Sequence, residues 1–152
     1  MQRKSVWKRW MLVTILCGCG LLASGGSAMA ESDDGCSSQT LLGDYGFVAE
    51  GVLLPAPGVS LTFRSVGMAH FDGKGNLTWT EHTVINGTPQ QPGWTEARGS
   101  YSVNPNCTGT AVVNTPNSPV PLNLSFVVVR HGKEVHTVLD SNAIASVFIK
   151  VD

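Results

Sequence analysis

The chain has 152 residues, 42% of them hydrophobic and 14% charged, with a formal net charge of −1. Four of the ten basic residues, Arg3, Lys4, Lys8 and Arg9, sit at the extreme N-terminus. A chain without them carries six basic against eleven acidic residues, a charge of −5 that offers no footprint for nucleic acid or anionic lipid.

That basic cluster precedes an apolar run, WMLVTILCGCGLLA (10–23), and then Ala28, Met29 and Ala30 in a small-x-small pattern. The architecture predicts a signal peptide over residues 1–30, cleaved after Ala30, and a secreted or periplasmic product of 122 residues. An apolar core of about fourteen residues is too short for a membrane span. An alternative places cleavage before Cys19, where Leu16-Cys17-Gly18-Cys19 partly resembles a lipoprotein box and would anchor the chain in the cell envelope.

Residues 31–42 form a polar lead-in carrying Cys36. With the leader removed, Cys36 and Cys107 are the remaining cysteines, and an oxidising compartment predicts a disulfide between them. That bridge would clip the lead-in to the body of the domain. A redox pair would instead favour a close C-x-x-C spacing.

From residue 43 onward, β-rich segments alternate with turn clusters and no helical period is sustained. Strands are expected at 43–51, 59–71, 77–85, 94–103, 108–114, 121–130, 134–140 and 144–151, separated by PAPG, DGKGN, NGTPQQPG, NPNC, NTPNSPV, HGK and SNA. Short connectors imply antiparallel neighbours. The expected fold is a single all-β domain over residues 43–152, an eight-stranded antiparallel up-and-down β-barrel, with an open β-sandwich as the alternative.

DGKGN (72–76) spaces Asp72, Lys74 and Asn76 like the oxygen ligands of a calcium loop. An EF-hand register would put Lys74 at an acidic position, Leu77 at the glycine and Thr83 at the bidentate glutamate. The stretch therefore reads as a hairpin loop. Symmetric pairing across it sets Phe71 opposite Leu77, Ala69 opposite Trp79 and Gly67 opposite Glu81. The same assumption across Asn86–Gly93 pairs Ile85 with Trp94, Thr83 with Glu96 and Glu81 with Arg98.

Trp79, Glu81, Trp94, Glu96 and Arg98 would then share one face. Turned inward, Trp79, Glu81, Trp94 and Arg98 form a candidate ligand site, a partly buried ion pair between two tryptophans. Turned outward, the pair is a surface bridge worth about 0–1 kcal/mol. The cost of burying a charge pair favours the outward face.

No metal site is expected: His70, His82, His131 and His136 lack zinc spacing. No cofactor motif, catalytic elbow or phosphate-cradling glycine loop is present, and no catalytic residue is assigned. Glu81 and Glu96 would make a carboxylate pair of the kind any antiparallel sheet offers. Asn76, Asn86, Asn106 and Asn123 match the glycosylation acceptor pattern but read more simply as turn residues.

Three segments, LLGDYGFVAEG (41–51), GMAHFDGKGNLT (67–78) and GSYSVNPNCTGTAVV (99–113), resemble spaced motifs of a group of small secreted bacterial proteins, with FVVVRHGKEVHTVL (126–139) similar to their closing hairpin. That group in turn resembles allene-oxide-cyclase-like barrels. The resemblance implies an eight-stranded barrel with a central cavity. It implies no cyclase activity, since no catalytic motif of those enzymes maps onto this chain. The leading functional expectation is a barrel that binds a small apolar molecule in its interior. The alternatives are a structural or surface-interaction module filled by side chains, and a cyclase or isomerase acting on a hydrophobic substrate.

Overall fold

The computed structural model describes residues 35–152. The leader at 1–30 and the lipid-anchor alternative at Cys19 lie outside the described residues. Eight long strands close into an antiparallel barrel: β1 (Gly43–Ala56), β2 (Val59–Phe71), β3 (Asn76–Ile85), β5 (Thr95–Val103), β6 (Thr108–Asn114), β7 (Leu122–Val129), β8 (Glu134–Leu139) and β9 (Ala143–Lys150). A two-residue strand, β4 (Thr88–Pro89), is appended to β3. Sequential hairpins join all the long strands, and one seam closes the barrel. At that seam β9 returns to pair with β1, so the sheet has no free long edge.

Side-chain alternation sorts each strand into an inner and an outer row. Tyr45, Phe47 and Ala49 of β1 are buried, as are Leu77, Trp79, Glu81 and Thr83 of β3 and Ile144, Ser146 and Phe148 of β9. Inward glycines make room for rings. A Cβ on Gly67 would meet the Phe47 ring at 2.6 Å, and one on Gly109 would collide with Phe126. These are cross-strand partners, Phe47 opposite Gly67 and Phe126 opposite Gly109, so each ring lies over a position without a side chain.

The two ends of the barrel differ. At one end the chain from Cys36 folds across the opening as a 3₁₀ turn, Ser38–Leu41, whose Leu41 is completely buried. Tyr101 Oη donates to Ser38 O at 3.0 Å, and Lys150 Nζ donates to Leu42 O at 2.7 Å. Cys36 N donates to Pro105 O at 3.1 Å, and the Cys36–Cys107 disulfide lies alongside with a Cα–Cα distance of 4.9 Å. The lead-in is thus a plug, clipped to the body by the expected bridge.

Beneath the plug the interior is packed. Tyr45 and Phe71 meet edge to face at 5.2 Å and Phe71 and Tyr101 at 5.0 Å, and the void left among Leu41, Phe71, Leu77 and Phe126 is only about 20 Å³. The Tyr45 hydroxyl donates to Gly132 O, and burial followed by the proximity of Tyr101 pushes its pKa up to about 12.

DGKGN is a corner. Asp72 Oδ1 accepts from the backbone N–H groups of Lys74 (2.7 Å) and Asn76 (2.9 Å), while Oδ2 accepts from Asn76 Nδ2 (2.7 Å). The Asn76 side-chain bond leads the backbone bonds in lowering the Asp72 pKa to about 2. The pairings predicted across this corner hold, with Phe71 opposite Leu77, Ala69 opposite Trp79 and Gly67 opposite Glu81.

Two expectations need correction. β1 runs through Pro55 to Ala56, so only Pro57 and Gly58 turn the first hairpin. The register after β3 is also wrong by an odd number. Asn86 (φ 49°) and Gly87 (φ 80°) both adopt the positive φ of a tight two-residue hairpin turn, which pairs Ile85 with Thr88 and Val84 with Pro89. Only then does the chain loop out and return at Thr95, which faces Glu81. The Ile85–Trp94 pairing is thereby excluded, Glu96 faces Thr80, and Arg98 faces Thr78. An odd shift sends every side chain of the new strand to the opposite face.

Candidate functional site

The open end of the barrel holds a cavity of about 240 Å³. Its floor is an aromatic layer. Phe47 stacks on Phe148 with centroids 4.8 Å apart, and Trp79 tilts against Phe47 at 5.6 Å. The walls add Ala49, Phe63, Ile85, Leu139 and Ile144, and the β6–β7 loop, with Pro119, Val120 and Pro121, lies along the mouth.

One charged side chain lines this cavity among the described residues, Glu81, which is 5% exposed. It projects inward because it shares the inner row of β3 with Leu77 and Trp79. Its donors come from two elements. Ser65 Oγ of β2 donates to Oε2 at 3.2 Å and itself accepts from Thr83 Oγ1 at 3.1 Å. Oε1 accepts from Thr115 Oγ1 at 2.8 Å and from Asn117 Nδ2 at 3.2 Å, both on the mouth loop. Asn117 N–H groups also reach Thr95 Oγ1 at 3.0 Å. The carboxylate is therefore the post to which the mouth loop is tied.

All these donors are neutral. Among the described residues no Lys, Arg or His forms an ion pair with Glu81. Two polar atoms of the site are buried and have no hydrogen-bond partner, Trp79 Nε1 and Asn117 Oδ1. Buried polar atoms of native proteins nearly always find a partner, so two at one cavity mark it out.

The four expected site residues divide evenly. Trp79 and Glu81 are inside. Trp94 is 64% exposed and stands outside against the His82 ring, with centroids 6.0 Å apart. Arg98 is on the outer surface with Glu96 at 3.9 Å, both largely solvated. Both alternatives for that face fail, because the Glu81–Arg98 pair does not form and Glu81 and Glu96 point to opposite faces. Ser65, Thr115 and Asn117 were missed. Ser65 carries a signal in retrospect, since it lies in phase with Phe63, Ala69 and Phe71 on the inward row of β2. Thr115 and Asn117 belong to a loop and carry none.

The histidines serve the outer surface. His70 Nδ1 lies 2.7 Å from Asp44, His136 Nε2 lies 2.6 Å from Glu134, and His82 Nδ1 lies 3.2 Å from Gly93 O. No family model and no curated protein matches the chain.

Proposed function

We propose that this protein is an extracytoplasmic carrier or receptor barrel that binds a small, largely apolar molecule in its open end. The observation that carries the reading is the contrast between the two halves of one interior. Side chains fill the plugged half to a void of about 20 Å³, whereas the other half keeps about 240 Å³ over an aromatic floor with one buried carboxylate. A barrel built only as a structural module has no reason to stop packing midway, since narrow eight-stranded barrels are readily filled. The similarity to allene-oxide-cyclase-like barrels supports a cavity of this kind. The leader-like N-terminus and the disulfide support export.

A second reading is favoured by Glu81 itself. A lone carboxylate in an apolar cavity is suited to proton transfer on a bound substrate, as an isomerase or cyclase requires. The same residues would then hold the substrate and Glu81 would act on it.

Native mass spectrometry of the protein isolated from its own host tests the proposal, with the same sample denatured as control. An extra mass that is lost on denaturation, and lost also from Trp79→Ala while Arg98→Ala retains it, is the expected result. A bare chain in every preparation returns the barrel to the structural reading.

A further inference from the structure

We infer that the molecule held in this cavity carries a protonated amine, with Glu81 as its counter-ion. The inference rests on the binding proposal above and names the ligand's chemical class.

Glu81 is buried and receives three hydrogen bonds, every one from a neutral group. A carboxylate offers about four acceptor directions, so one remains open, and none of the ion pairs among the described residues involves this group. A charge taken out of water is costly unless it is both hydrogen-bonded and paired, and here only the first condition is met. The neighbouring Asn117 spends its N–H groups on Glu81 and Thr95, and its Oδ1 is buried without a donor. The site thus lacks a positive charge at one oxygen and N–H donors at two.

An ammonium supplies both at once, since it offers a charge and three donors from one atom. The rings of Trp79, Phe47, Phe63 and Phe148 line the same cavity and suit an apolar body attached to it. Other head groups fit less well. A carboxylate or phosphate would meet Glu81 with like charge. A hydroxyl would satisfy one acceptor, and could accept from Trp79 Nε1, but would bring no charge to Glu81. The volume, below the ~300 Å³ at which ordinary ligand pockets begin, limits the body to a single ring or a short chain.

Three probes of matched size test this by calorimetry on the disulfide-bonded protein at neutral pH: 2-phenylethylamine, 2-phenylethanol and phenylacetate. The amine is expected to bind about tenfold or more tightly than the alcohol, as a charge-assisted contact should, and phenylacetate weakest of all. Glu81→Gln keeps the shape and one acceptor oxygen, and should bring amine and alcohol to within about twofold of each other. The wild-type ranking stands as a test even if that variant does not fold. Alcohol binding equal to or tighter than amine binding overturns the amine assignment and leaves a general apolar pocket. A preference for phenylacetate overturns it likewise. Binding of none of the three overturns the assignment together with the pocket reading.

Discussion

Removing the disulfide is the perturbation whose size can be worked most directly. The Cys36–Cys107 bridge spans 71 positions of sequence and encloses β1 to β5, that is, four of the eight barrel strands and the whole plug. On the chain-entropy description, a loop of this length removes about 15 cal/mol/K from the unfolded ensemble, or about 4 kcal/mol at 25 °C. A domain of roughly 120 residues has an unfolding entropy near 0.25 kcal/mol/K at its midpoint, so the double variant Cys36→Ser/Cys107→Ser should melt about 16 °C lower. Circular dichroism melts of the oxidised protein and the double variant, paired with urea titrations, give both numbers. The plug's other ties, the buried Leu41 and the Tyr101–Ser38 hydrogen bond, do not depend on the bridge. A loss below about 1 kcal/mol would therefore refute the entropic argument and show that those contacts alone confine the segment. A loss well above 5 kcal/mol would refute it from the other side, since the native packing would have to collapse with the bridge.

Two further outcomes are expected. Gly67→Ala places a methyl where the Phe47 ring lies, with the Thr80 carbonyl also in the way, and should cost about 1–3 kcal/mol in a urea titration. It should also disturb the cavity floor, which an altered Trp79 fluorescence spectrum would report. Tyr45 provides the pH dependence: its folded pKa lies near 12, above the usual 10, so the un-ionised phenol is the form that the fold favours. Stability from this residue is complete below about pH 10 and is lost as pH rises towards 12, a decline that alkaline melts should show and Tyr45→Phe should remove.

The register of β2 on β3 was legible because the DGKGN corner is short and leaves one natural pairing. The disulfide was legible from the compartment argument. The far side of β3 was not, and one dipeptide explains it. Asn86-Gly87 is a strong tight-turn signal in its own right, but as part of NGTPQQPG it was absorbed into one long loop. The resulting error of three positions is odd, which moved Trp94, Glu96 and Arg98 to the wrong face of the sheet while leaving Trp79 and Glu81 in phase with each other. Burial of Glu81 defied the ordinary expectation for charged residues, because its donors are small polar side chains distant in sequence. Ser65 lies 16 residues before it, and Thr115 lies 34 residues after it. No local pattern links the mouth-loop donors to Glu81.

The plug, the disulfide and the interlocked rings of Tyr45, Phe71 and Tyr101 are gathered at one end of the molecule, while the mouth is framed by the connections β1–β2, β3–β5, β6–β7 and β8–β9 at the other. Alternating hairpins guarantee this segregation, and they give the domain a division of labour along its axis. Substitutions at sites well separated in space contribute to stability nearly independently. Apart from the ties of Thr115 and Asn117 to Glu81, the rim loops are therefore free to diversify in length and chemistry while the sealed end carries the work of folding.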